Sequence, residues 1–336
     1  MALMHTLTSK PLMMSLISML LCTVCLGQGL DSYALVHPFG LASGTNARAF
    51  GMGGQASCVW GWGSGNPAFA VTHSKPLAGI RVSATSFDRG PDVLSKHAHL
   101  VWPLHENVDS LQLTLFSLSS EATQIMLAPS SAAIVDIAEE DLSVQYSRRI
   151  NPRLTAGIGL SPYSKIELAM VVPGGPTLRD IQAEPDYGAR LGLAYEFAPG
   201  DYFGLVYDYY QETAKASGVA LLGRTKGVFI SKLLAVGVSK HLSEDLLVAA
   251  EYQDASAMDG PRGGSLSGWH VGAEYLPVPG FAVRAGLNDE RLSAGLGHKS
   301  DRWEISYAYI NRWNDDVAGD MFGASDTHQL QAICRW

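Results

Sequence analysis

Beyond Gly79 the chain keeps a two-residue rhythm, and that rhythm limits its fold more than any motif does. Trp303, Ile305, Tyr307 and Tyr309 alternate with Arg302, Glu304, Ser306 and Ala308. Trp269, Val271, Ala273 and Tyr275 alternate with Gly268, His270, Gly272 and Glu274, and Ala189, Leu191, Leu193, Tyr195 and Phe197 repeat the pattern. Side chains of an extended chain point alternately to opposite faces, so each run is a strand with one apolar face and one small or polar face. A helix would need its apolar positions three and four apart. The fold class is all-β.

Turn signals of two sizes separate the strands. Short ones are His105-Glu106-Asn107, Asn151-Pro152, Ala198 to Asp201, Ser243-Glu244, Pro277 to Gly280 and Lys299 to Asp301. Longer connections are expected at Ser119 to Asp141, Lys165 to Asp186, Glu212 to Val228, Ala255 to Ser265 and Trp313 to Asp326. Counted as hairpins, this gives about 14 strands with short and long connections in alternation, the pattern of a transmembrane barrel. A soluble β-sandwich also alternates, but three features oppose it. The polar face is rich in Gly and Ser and carries Arg190, Asp208, Glu251, Arg284 and Glu304 in mid-strand, as a wet lumen allows. Tyr and Trp gather on the apolar face and near strand ends, as an interfacial girdle requires. The chain ends HQLQAICRW, with His328, Leu330, Ala332, Cys334 and Trp336 on one face. Such an aromatic end resembles the recognition signal of bacterial outer-membrane barrels. That resemblance implies the outer membrane as location, lipid and lipopolysaccharide as surroundings, and the barrel assembly machinery as a partner. Charged residues are 17% of the chain, below the roughly 25% of a soluble domain.

The first residues carry Lys10 and then an apolar run from Pro11 to Leu26, closed by Gly27. This is shorter than the roughly 20 apolar residues of a spanning helix and reads as an export signal over 1–27. Residues 28–78 form a separate N-terminal segment and 79–336 the barrel. Cys22 and Cys25 leave with the signal. Cys58 lies upstream of the strands and Cys334 faces lipid by parity, so no bridge is expected between them. A net charge of −8 gives nucleic acid nothing to bind.

The stretch NARAFGMGGQASCVWGWGSGNPAFAV, Asn46 to Val71, contains Gly51, Gly53 and Ala56 at the spacing of a phosphate-binding turn. Such a turn must follow a strand and open a helix. Nothing upstream reads as a buried strand, and Trp-Gly-Trp-Gly downstream cannot start a stable helix. Glycine here permits positive φ and close approach of backbone to protein, with Asn66-Pro67 fixing a turn. A Gly- and Ala-rich segment ending in Asn66-Pro67-Ala68 ahead of such a meander resembles the FadL family of outer-membrane channels. That resemblance implies an N-terminal hatch plugging the lumen and passive uptake of hydrophobic or amphipathic small molecules, fatty-acid-like or aromatic. Phe50, Met52, Trp60, Trp62, Asn66, Pro67 and Phe69 would then line the path or fix the hatch, or else simply pack it against the wall. The run Asn46 to Gly54 is also similar to the PorV-like branch, in which related barrels serve protein secretion or surface assembly.

Arg190, Arg284 and Arg302 fall on the lumen face by parity. They could meet a carboxylate head group, or form internal ion pairs with Glu196, Glu274 and Glu304. His97 and His99 share a strand face and read as polar lumen residues. Glu139 to Asp141 and Asp315-Asp316 read as loop charge. With no Gly-x-Ser-x-Gly elbow and no ligand cluster, neither an enzyme nor a metal or cofactor is expected.

Overall fold

The computed structural model describes residues 46–60, 65–88, 92–128, 131–172, 177–217, 225–259, 262–288, 291–312 and 325–336. The export signal, Trp62 and Asp315-Asp316 lie outside these residues. The described chain opens with a short helix α1 (Ala47–Gly51) and a 3-10 turn (Pro67–Thr72). Strands follow: β1 (Leu77–Phe87), β2 (Val93–His105), β3 (Asp109–Ser120), β4 (Thr123–Ala128), β5 (Ser131–Asn151), β6 (Leu154–Val171), β7 (Thr177–Ala198) and β8 (Asp201–Ser217). The remainder are β9 (Thr225–Ser243), β10 (Leu246–Asp259), β11 (Arg262–Val278), β12 (Phe281–Asn288), β13 (Arg291–Lys299), β14 (Trp303–Arg312) and β15 (Ser325–Arg335).

All neighbours pair antiparallel, and β1 closes on β15 from Leu77 opposite Arg335 to Phe87 opposite Ser325. Strands β3 and β4 share one place in the wall. Both pair with β5, β3 along Ala138 to Arg148 and β4 along Ser131 to Val135. The wall therefore has the fourteen positions that the hairpins indicate. Closure removes free edges, which lipid would leave without hydrogen-bond partners.

Six two- or three-residue turns, at 106–108, 152–153, 199–200, 244–245, 279–280 and 300–302, lie at the end where β1 begins and β15 finishes. Asn107 (φ 57°) and Gly280 (φ 81°) supply the left-handed positions those turns need. The opposite end corrects the expected loops. Glu139 to Asp141 lie within β5, and most of Lys165 to Asp186 is strand, in β6 and β7. Crossing the bilayer takes only about 9–11 residues of tilted strand, whereas β7 has 22. Beyond the membrane both faces of a hairpin meet water. The apolar alternation fades there while the ladder continues.

Burial separates the two faces. Leu191, Leu193, Val283, Leu296 and Leu330 point outward and are exposed, whereas Arg81, Ser83, Thr85, Glu251, Gln329 and Gln331 point inward and are buried. Exposed aromatics form two belts: Trp102, Phe197, Trp303 and Trp336 near the short turns, and Tyr163, Tyr187, Tyr252 and Trp269 higher up. Phe197 and Tyr187 are ten residues apart on β7, roughly 33 Å of strand. At the usual tilt that is about 25 Å of height, the thickness of an outer-membrane apolar band. This wall is a membrane wall. One local break interrupts it: β6 and β7 pair from Leu154 to Leu160 and again from Ile166 in the same register, leaving Ser161 to Lys165 opposite Glu184 to Gly188 outside the ladder. Pro162 and Pro185 fall in the gap, and neither has an N–H to donate.

Candidate functional site

The described leading segment lies against the inward face of the wall. Asn46 caps α1, its side chain accepting from Ala49 N at 2.8 Å, while Ala47 N donates to Gln331 Oε1 at 2.8 Å. Phe50 is buried against Ala308 and Ile310 of β14. Met52 then passes so close to Gly272 and Gly286 that a methyl on either would overlap its main chain. Gly53 (φ 103°) and Gly54 (φ 85°) turn the chain back. The phosphate-like spacing is thus a docking turn, with glycine on both sides of the contact.

A carboxylate from the wall holds the next stretch. Glu251 is fully buried, and it accepts from Ala56 N at 2.7 Å, Ser57 N at 2.6 Å and the Ser57 hydroxyl. Hydrogen bonds to a charged group are each worth about 1.5–3 kcal/mol. Ser57 O presses on Gly204, and Cys58 O accepts from Ser239 Oγ at 2.9 Å. Asn66 serves both ends of the segment: its Nδ2 donates to Ser57 O (2.8 Å) and to Leu193 O (2.9 Å), and its Oδ1 accepts from Ala68 N (3.0 Å). Pro67 lies on Gly157 and Gly192, and Phe69 meets the edge of Tyr202 at 5.2 Å.

The structure distributes the expected residues along the wall: Phe50 packs on β14, Met52 clusters with Cys58 and Val59, and only Trp60 and Phe69, next to Asn66 and Pro67, share one cluster. Trp60 is half-buried between two cations, Arg48 at 5.9 Å and Lys299 at 5.6 Å from its ring, and tilted against His73 at 5.6 Å. Burial first, then the charges of Arg335 and Lys299, hold His73 down at about 3. Burial also pushes the Cys58 thiol well up, aided by the Glu251 charge. Cys58 and Cys334 are both free.

The three arginines separate. Arg284 donates to Glu274 at 2.7 Å, and Arg48 grips the same carboxylate with two bonds of 3.0 and 2.6 Å. Arg190 pairs with Asp208, opposite it on β8, and not with Glu196. Arg302 corrects the parity expectation: it sits exposed in the turn before β14, because the strand begins one residue later, and Glu304 pairs with Arg335 instead. His97 and His99 point inward, stacked at 5.7 Å, with His99 bonded to Thr114 at 2.9 Å. Among the described residues no group of three His, Cys, Asp or Glu could hold a metal.

Below the segment, toward the short turns, a cavity of about 560 Å³ opens. Arg48, Trp60 and Thr72 border it on the segment side, and Arg149, Tyr202, Glu274 and Lys299 are among its wall residues. The sequence reading placed Glu251 on the lumen face without seeing what it holds, and missed Arg48 and this cavity. An inward glycine stripe (Gly157, Gly192, Gly204, Gly272, Gly286) was the signal that something lies against the wall.

No family model matches the sequence, and no curated protein matches it significantly. Solved structures share its fold. The toluene transporter TbuX of Ralstonia pickettii superposes with a TM-score of 0.61 at 16% identity, over 89% of this chain and 100% of that one. The Pseudomonas putida toluene transporter TodX gives 0.55 at 13%, over 86% and 96%. A FadL homologue of Pseudomonas aeruginosa gives 0.55 at 10%, over 86% and 98%. Fold and interior together define the class: a closed transmembrane barrel of fourteen wall positions whose lumen holds a segment of its own chain. Within that class the chain has the fold of these transporters and of the FadL homologue.

Proposed function

We propose that the protein is a channel of the bacterial outer membrane for passive uptake of hydrophobic or amphipathic small molecules, fatty-acid-like or aromatic. One observation carries this: a membrane-spanning wall closes around a lumen occupied by the chain's own buried leading segment. An open porin would pass polar solutes by size; an occupied lumen restricts passage to what can move along its packed surfaces. On this reading residues 28–78 form the hatch, 1–27 are removed on export, and Phe50, Met52, Trp60, Trp62, Asn66, Pro67 and Phe69 position the hatch or border the path. The fold shared with two toluene transporters supports the choice of cargo class. Lipopolysaccharide outside and the barrel assembly machinery are the partners it implies. The protein is then a conduit and not an enzyme.

The test compares initial uptake of labelled toluene and of a labelled long-chain fatty acid in cells with and without the gene. Faster uptake of at least one in expressing cells is expected. Equal rates for both would overturn the reading and leave a role in secretion or surface assembly.

A further inference from the structure

The cavity at the short-turn mouth carries more positive charge than its own carboxylates use. Its acids are engaged: Glu274 by Arg48 and Arg284, Glu304 by Arg335, and Glu196 by Gly200 N at 2.9 Å. Its remaining cations, Arg149, Arg153 and Lys299, have no carboxylate partner among the described residues. Arg149 points inward from the end of β5, and its Nε is buried with no hydrogen-bond partner. Arg149 borders the cavity without a carboxylate of its own, so an anion entering there would supply the counter-charge its guanidinium lacks. Lys299 approaches from β13, over the face of Trp60. Two cations from separate parts of the wall thus overlook a space bordered by the rings of Trp60 and Tyr202.

We propose that this cavity is a binding site for a small organic carboxylate with an aromatic or short aliphatic body. Arg149 takes the carboxylate, with Lys299 adding its charge, and the Trp60 and Tyr202 rings take the body. Arg offers a planar pair of donors that matches a carboxylate, and about 560 Å³ suits a ligand of drug-like size. The site lies on the far side of the docked segment from the long strand extensions. Resting on the uptake reading for this one point, it is an exit station, where an amphipathic cargo is held by its head group before release.

The test is calorimetric titration of the full chain, folded in an uncharged detergent, with 4-phenylbutyrate, 4-phenylbutanol and inorganic phosphate. The acid should bind at least ten-fold tighter than the alcohol, and phosphate should not displace it. Arg149→Gln should weaken the acid about ten- to a hundred-fold and leave the alcohol unchanged; Lys299→Gln should weaken it less. Heat-modifiable gel mobility confirms that each variant is a folded barrel. Equal binding of acid and alcohol, displacement by phosphate at equal concentration, or an Arg149→Gln variant that binds like the parent would each overturn the proposal. Because binding is read in detergent, its failure is separate from failure of the uptake assay.

Discussion

At the scale of single residues, the leading segment is held by a few buried polar groups. Glu251 is the foremost, since one carboxylate takes three donors from the segment's turn and a fourth from Gln253 of its own strand. Replacing it by Ala strands two backbone N–H groups, at about 1–3 kcal/mol each. Glu251→Ala is therefore expected to loosen the segment without unfolding the wall, read as increased permeability of cells to a large polar antibiotic, with Glu251→Gln intermediate. Permeability equal to the parent's would show that Glu251 is no anchor. His73 adds a pH dependence. Its folded value of about 3 lies below the ordinary 6.5 or so, so between these the unfolded chain binds the extra proton. Its contribution is complete above about pH 6.5 and falls by about 1.4 kcal/mol per unit as pH drops toward 3. His73→Phe should flatten the thermal-stability profile across that window; an unchanged slope would remove His73 as the cause.

Among the elements, the contrast between wall glycines is informative. A side chain at Gly272 or Gly286 meets the main chain of Met52, which has no way to step aside, whereas one at Gly188 meets the ring of Tyr210. Gly272→Val should undock the segment and expose it to added protease in the folded barrel, while Gly188→Ala should leave protection intact. Equal protection in both would mean that the segment is not seated on glycine. The β6–β7 gap gives a second expectation. Exchanging Pro162 and Pro185 for Val restores two N–H groups, so amides across Ser161 to Lys165 should exchange hydrogen more slowly. Exchange as fast as in the parent would mean that the prolines do not cause the break. These elements were unequally legible in the sequence. Strand existence and sidedness were readable because lipid and lumen select opposite chemistry at alternate positions. Strand length was not, because β5 and β7 continue where both faces are wet. Register was only half readable: Arg190 meets Asp208 across a two-residue turn, but a bulge between Glu196 and Ala198 shifts the count by one. Glu196, six residues from Arg190 on the same strand, is roughly 20 Å away, too far to pair.

For the whole molecule, the closed wall and the packed interior depend on each other. The lumen is wide enough for a folded segment only because fourteen positions close it, and the segment can fill it only because wall and segment both present glycine and small polar groups at their contact. The glycine-rich stretch was recognisable as a docking segment because its surroundings excluded a nucleotide turn. Its partners, Glu251, Glu274 and the inward glycines, came from distant strands that no local pattern connects to it. The most direct measurement is ionic conductance of single barrels in a planar bilayer, for the intact chain and for a form lacking residues 46–72. The intact protein is expected to hold no steady open level, and the shortened form to conduct as an ohmic pore. An intact chain that conducts like an open porin, or a shortened one that stays closed, would contradict the occupied lumen.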